Sequence, residues 1–400
     1  VFNSPNGAND TSDLTSAANS FLSAYNSQPS GQAGVGYVAA ESVLLADDLA
    51  GLLGTTLPNV NSSSPLVLRT AGSTVVWRGA FSKLPQLNSP LEVLPFGVFQ
   101  QSRAKRTTDN YSQYVAFAQQ LDTSLSGLIS TYLTDANIQG LESNPLVIPV
   151  SNTENVKIGA AEGYQLRAAL SSLVGILDGL LAYNLDPTSF DFGEDFGTTF
   201  ASDLGTGTPI TPSLYLPPSP FMSLNSGGAA DMAGFGAEWI SAGTDANSAL
   251  SVLVTRMANN STGWVTDVTE GANYTSGNVA TAQAGVASFV AALNGTPVSA
   301  TITNDEGVSA SVQVNLKAFY SNPPANLQAF FPSFTFALDQ NGTSFDLTPV
   351  SGSIVDPTFG GLVVSPGVPS NVLYNRKVVI NDEADYAVAL EIFAFYDPSF

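Results

Sequence analysis

The sequence predicts an α+β fold: a mainly helical N-terminal body over residues 14–295 and a β-rich, antiparallel C-terminal section over 296–400. Three observations predict it. Long segments as far as residue 292 place apolar residues at three- and four-residue steps, the helical period. From Pro297 onward, β-branched residues alternate with polar ones, the strand period. Hydrophobic residues make up 44% of the 400, enough to bury a sizeable core.

Residues 1–13 are polar, contain Pro5 and Gly7, and read as a flexible arm. A helix is expected over 14–25, with Phe21, Leu22 and Tyr25 on its apolar side, then a loop over 28–36. A second helix is expected over 37–53, ended by Gly54 and Pro58. Residues 59–108 are mixed, with short extended pieces at 65–70 and 73–78 and a Pro-punctuated connection. Helices follow over 109–134 and 155–183. The second is apolar nearly all round at its end, which marks it as central to the core. A loop-like stretch over 184–228 precedes helices at 229–258 and 278–292. Strands are expected from Val298 to Ile302, from Val308 to Leu316, and over 333–338, 343–348, 361–365, 376–380 and 387–396. Asn341-Gly342 marks a hairpin turn.

Charge excludes several partners. Lys plus Arg total 12 against 33 Asp plus Glu, a formal net charge of −21. Such a field repels nucleic acid and anionic membranes, and the small basic cluster Arg103, Lys105, Arg106 does not offset it. No stretch is apolar enough to span a bilayer. Cys and His are absent, which removes disulfides, zinc sites, thiol nucleophiles and imidazole bases. Only 11% of residues are charged, so Ser, Thr, Asn, Gln and Gly must cover the surface. That coat suits contact between copies or attachment of sugar. Asn-x-Ser/Thr acceptors stand at Asn9, Asn61, Asn110, Asn259, Asn260, Asn273 and Asn341; the triplet at Asn294 is weakened by Pro297. Together these features favour an extracellular or cell-surface location. Residue 1 onward carries no charged or apolar leader, so the mature form, its signal peptide already removed, is the expectation.

The helix GYQLRAALSSLVGILDGLLAYNLDP (163–187), with VNLKAFYSNPPANLQAFFPSF (314–334) and DPTFGGL (356–362), resembles segments of exported bacterial proteins and lipoproteins of helical-repeat type. The three segments span 53 of the 400 residues. It implies a helical scaffold in the cell envelope or outside the cell, and it brings no catalytic residues to carry over.

No cofactor is expected, with Ca²⁺ as the one candidate. Asp186, Asp191, Glu194 and Asp195, with Asn184, put hard oxygen ligands on a Gly-containing loop, but the spacing is not that of an EF-hand and a solvated loop is preferred. Asp382, Glu383 and Asp385 read as a solubilising turn. Ser102-Arg103-Ala104-Lys105 matches a Ser-x-x-Lys nucleophile pattern without its Lys-Thr-Gly companion. Asp122-Thr123-Ser124 sits inside a helical pattern, not on the strand loop an aspartic protease uses. Paired carboxylates could cleave glycosides without His, but no pair is placed by sequence.

No enzyme is expected. The chain is read as a self-assembling extracellular subunit of a filament, sheath or surface layer. Heterologous contacts repeated without closure build a fibre, and a strand added to a neighbour's sheet edge would strengthen it. The assembly candidates are Phe2 on the arm and Val378, Ile380, Val388, Leu390 and Ile392 near the C-terminus. A carbohydrate-binding envelope protein is the alternative, resting on Trp77, Trp264 and the aromatic run from Phe319 to Phe336; a carboxylate-based glycoside hydrolase comes third.

Overall fold

The structure, a computed structural model, describes residues 11–52, 111–149, 155–186, 209, 211–216, 219–265, 275–303, 309–338, 345–350, 352–364 and 378–380. It is α+β and mainly helical, with short antiparallel strands in small sheets. The chain divides into two compact units. One draws on 1–87, 116–177 and 237–290, the other on 88–115, 178–236 and 291–400.

The first unit is built on helices. Helix α1 (Thr11–Ser27) packs with α2 (Gly31–Leu52). Tyr132, at the end of α3 (Tyr111–Tyr132), stands edge-on to both Tyr25 and Tyr37, with centroids 4.9 and 4.7 Å away. In α3, Leu121, Leu125 and Leu128 recur at helical steps and are buried. Thr134 begins α4 (Asp135–Ser143) by accepting the Asn137 N–H on its side chain, and Ile138 and Leu141 turn inward. A hairpin of β1 (Leu146–Pro149) and β2 (Asn155–Ile158) follows, pairing Val147 with Lys157 and Ile148 with Val156. Residues 160–177 of α5 (Ala160–Leu181) are buried almost all round and join Val35, Val38, Leu125, Ile138, Leu141 and Ala249 in one apolar core.

The second unit mixes irregular chain with strands. It includes the short helix α6 (Pro212–Tyr215), a hairpin of β3 (Val298–Thr303) with β4 (Ser309–Val314), and an antiparallel sheet ordered β5 (Phe334–Leu338), β6 (Phe345–Pro349), β7 (Val378–Ile380). In β4, Val312 and Val314 are buried while Ser311 and Gln313 face out, the period of two expected of a half-buried strand. Helix α9 (Leu316–Ser321) is capped by Asn315, whose side chain accepts the Ala318 N–H at 3.2 Å. Its Tyr320 is buried and donates to the Leu293 carbonyl at 2.7 Å, with Gly236 beneath the ring. Main-chain bonds stitch the loops: Leu224 N–H to Ala325 O at 2.9 Å, and Leu327 N–H to Met222 O at 3.0 Å. The remaining long helices are α7 (Gly228–Ala258) and α8 (Ser276–Leu293).

Local expectations fail where packing outweighs propensity. The 28–36 loop is wrong: α2 starts at Gly31 and contains Gly34 and Gly36. These glycines are there for close approach. A Cβ at Gly31 would overlap the Asn137 carbonyl oxygen, and one at Gly36 would lie 2.5 Å from the Phe21 ring. Helix α1 begins at Thr11, inside the stretch read as an arm. Residues 155–158 are strand, not helix; Val156 and Ile158 carry the strand propensity, and Gly159 separates them from α5. Of the strand expected over 361–365, the described residues 361–364 form a turn and one bridge, Val314 with Val363. Asp356 imposes that turn, accepting Thr358 N–H at 2.9 Å and Gly360 N–H at 2.8 Å, with Phe359, Gly360 and Gly361 all at positive φ. The short helices α4, α6 and α9 and the strand β1 are additional to the expected set, α6 lying in the stretch read as loop-like. The extended pieces at 65–70 and 73–78 and the strand at 387–396 lie outside the described residues.

Gly31→Ala is expected to lower stability by about 1–3 kcal/mol through overpacking. Gly127→Ala, on an exposed turn of α3 with open space around it, should raise stability by about 0.5–1 kcal/mol. Urea denaturation of the two variants beside the parent checks both signs.

Candidate interaction surface

Helix α7 carries four charged residues, Asp231, Glu238, Asp245 and Arg256, spaced by seven, seven and eleven. At about 100° per residue these spacings put all four on one side of the helix. Each of the last three is drawn into a specific polar contact of the first unit.

Arg256 is 2% exposed. Its Nε and Nη2 donate to the two Glu142 oxygens at 2.9 and 2.8 Å, and Nη1 and Nη2 donate to the two Glu162 oxygens at 2.9 and 3.0 Å. The guanidinium lies 3.6 Å from the centre of the Trp264 ring, and the Lys157 ammonium sits 5.3 Å from the same ring. The carboxylates do a second job at the start of α5. Glu162 accepts the Gly159 N–H at 2.9 Å and Glu142 accepts the Ala160 N–H at 3.1 Å, which satisfies amides a helix start leaves open. Gly159 has no room for a side chain: a Cβ would lie 2.5 Å from both Arg256 Nη2 and Trp264. Burial alone would weaken the Arg256 charge, but the Glu142 and Glu162 hydrogen bonds and charges outweigh it and hold its pKa above the ordinary value.

Arg167 forms the parallel arrangement. It donates to Asp245 through Nε at 2.7 Å and Nη2 at 2.5 Å, to Asp135 at 2.6 Å, and to the Leu133 carbonyl at 2.7 Å. Burial nonetheless keeps the Asp245 carboxyl above its ordinary pKa, against the pull of Arg167. Burial also raises Glu238, helped by the Asp122 and Asp245 charges and opposed by a Ser171 hydrogen bond. These groups join neighbouring elements of the unit, so their chemistry is that of packing.

Drawing the charges inward leaves the outer face of α7 neutral. Between residues 241 and 258 the exposed positions are Ser241, Thr244, Asn247, Ser251, Val254, Thr255 and Ala258, and Val254 is 42% exposed. Helix α8 contains no charged residue at all. The two run antiparallel: Trp239 meets Phe289 edge-on at 5.9 Å, and Gln283 donates to Ser251 Oγ at 3.1 Å across the seam. Many hydroxyl donors of this face are already used within their own helix. Thr244, Ser248, Ser251 and Thr255 on α7, and Thr281 and Ser288 on α8, each donate to the carbonyl four residues back, at 2.8–3.1 Å. A surface with no ions and with many of its hydroxyl donors satisfied loses less than a charged one when water leaves it.

The residues singled out from sequence fall as follows. Trp239 and Trp264 are 9% and 5% exposed, so they are internal and offer no platform for a sugar ring; Trp77 lies outside the described residues. In the aromatic run, Tyr320 is buried, Phe319, Phe330 and Phe331 are half-buried, and Phe330 packs on Phe359 at 5.1 Å. Asn184 accepts the Asp186 N–H at 2.9 Å, a local turn; Asp191, Glu194 and Asp195 lie outside the described residues. Val378 and Ile380 stand in β7, opposite Leu347 and Phe345 of β6. Phe2, Val388, Leu390 and Ile392 lie outside the described residues, as do Asn9, Asn61, Asn110, Asn273 and Asn341 and the Ser102–Lys105 motif. Asn259, Asn260 and Asn294 are exposed at helix ends. Thr123 of the Asp-Thr-Ser triplet lies in α3 and donates to Gln119 O at 2.9 Å. Among the described residues no group of three or more acidic side chains could hold a metal ion, and no helix is long and apolar enough to cross a membrane. Comparison with protein families, with curated proteins and with solved structures returns no match.

Sequence reasoning missed the neutral face and both arginine clusters. The signal was present in the seven, seven, eleven spacing and in the charge-free stretch of α8.

Arg256→Ala is expected to cost about 3–5 kcal/mol, since it strands the buried Glu162 carboxylate. The double variant Glu162→Gln with Arg256→Met should recover much of that loss in the same urea titration. Glu238 and Asp245 have folded pKa values above their ordinary 4.5 and 3.8, and Asp231 is raised by burial in the same sense. The folded state then binds more protons, so this stability is full below the ordinary values and lost as pH rises through the raised ones. Asp356, held low by Thr358 and Gly360 against the effect of burial, acts oppositely, and only below its ordinary 3.8. Melting temperature should therefore fall from weakly acidic to neutral pH, with a shallower slope in Glu238→Gln.

Proposed function

We propose that the protein is an extracellular structural subunit that assembles with copies of itself into a filament, sheath or surface layer. The observation that carries this reading is the ion-free outer face of α7 and α8. Two copies at −21 repel one another over most orientations. Contact is least opposed where neither surface presents charge and where hydroxyl donors are satisfied before contact forms. The neutral face is that place, and Val254 adds exposed apolar area. A face meeting a different patch on the next copy propagates as a fibre. Among the described residues β7 stands at an end of its sheet, with β6 on one side, and offers a further contact of the main-chain type. Low charge and exposed glycan acceptors support the extracellular setting, and the resemblance to exported helical-repeat proteins points the same way.

Sedimentation velocity and negative-stain microscopy across protein concentration are the test. Ordered polymers should appear as concentration rises, and added salt should favour them by screening the net charge. Asn247→Glu with Ala284→Glu should abolish them without lowering the melting temperature, whereas Ser130→Glu, on an exposed position of α3, should leave them intact. A monomer at every concentration and salt level overturns the reading.

A further inference from the structure

We propose that Asn260 is an acceptor site for N-linked oligosaccharide; the inference rests on the extracellular part of the reading above and is independent of assembly. Helix α7 ends in a tight C-cap. The Ser261 N–H bonds the Arg256 carbonyl at 2.9 Å, the Asn260 N–H bonds the Met257 carbonyl at 3.1 Å, and Asn260 has φ +50°. This is the Schellman arrangement, with Asn260 at the left-handed position. Two acceptor triplets overlap here, Asn259-Asn260-Ser261 and Asn260-Ser261-Thr262. Asn259 and Asn260 are both exposed, and the described structure assigns neither carboxamide a hydrogen bond.

The geometry separates the two triplets. Ser261, the hydroxyl of the first, accepts the Trp264 Nε1–H at 2.9 Å and so supports the ring that stacks on Arg256. Asn259 is held at the helix end by its N–H bond to Thr255 O at 3.1 Å. In the second triplet the hydroxyl residue is Thr262, whose side chain carries no such bond. Asn at the left-handed position has a backbone reason to be there, but Thr262 has none: it is exposed and makes no hydrogen bond among the described residues. In the transfer, the Asn260 amide nitrogen forms a bond to the anomeric carbon of a lipid-pyrophosphate-linked oligosaccharide. The bond from that carbon to the pyrophosphate oxygen breaks, and one amide proton leaves with the departing lipid pyrophosphate. The folded state loses no hydrogen bond to this substitution, and the sugar projects from a turn into solvent.

Secretion of the full chain from a eukaryotic host, followed by peptide-N-glycosidase release in ¹⁸O water, reads the site directly. The label is expected on Asn260, retained in Asn259→Gln and lost completely in both Asn260→Asp and Thr262→Ala. Aspartate tolerates the left-handed backbone, and Thr262→Ala leaves both asparagines in place, so loss of fold does not confuse the result; matched melting temperatures confirm it. A secreted chain without label at Asn260, or a label that follows Asn259, overturns the proposal. Forced secretion separates this from the natural location, which protease shaving of intact source cells tests by itself.

Discussion

A guanidinium with almost no access to water is the constraint around which the first unit is organised. Arg256 is stable there only because Glu142, Glu162 and Trp264 arrive from three other parts of the chain. Those carboxylates also close the open amides at the start of α5, so one cluster sets the end of α4, the β2 to α5 junction and the last turn of α7. Gly159 is the point where the three would collide if any side chain were added. Arg167 repeats the logic with Asp245, Asp135 and the Leu133 carbonyl.

This inward use of charge has a consequence outside. With so few ionic groups in the chain, each one committed to the interior strips the surface further. On α7 the charged side and the exposed side are separate, and α8 has no charge to place. What remains outside is hydroxyl, amide, methyl and methylene, with many of the hydroxyls bonded to their own helix. Such a surface is hydrated weakly and repels weakly, which is what a protein-to-protein contact requires when the rest of the molecule is strongly acidic.

The helices at 109–134, 229–258 and 278–292 were legible because apolar residues recur every three or four positions over many turns, a signal that accumulates with length. The hairpin of β5 with β6 was legible from two strand-like runs around Asn341-Gly342, and Leu338 indeed pairs with Phe345. The start of α2 was illegible because Gly31, Gly34 and Gly36 look like a loop until the neighbouring Asn137, Tyr132 and Phe21 occupy the missing side chains' space. The β2 strand was lost in the pattern of the helix after it. Trp264 looked available for a ligand, and only the position of Arg256 shows why it is enclosed. Asn260 was one acceptor among several until the helix cap set it apart.

From the sequence alone came the class of the fold, the absence of imidazole and thiol chemistry, and the weakly charged coat, because periodicity and composition are properties of the chain itself. The tertiary structure decided which glycines sit inside helices, which charges turn inward, which tryptophans are enclosed and which face is left neutral. Those outcomes depend on residues brought close from distant positions, and no local pattern records the distance between them.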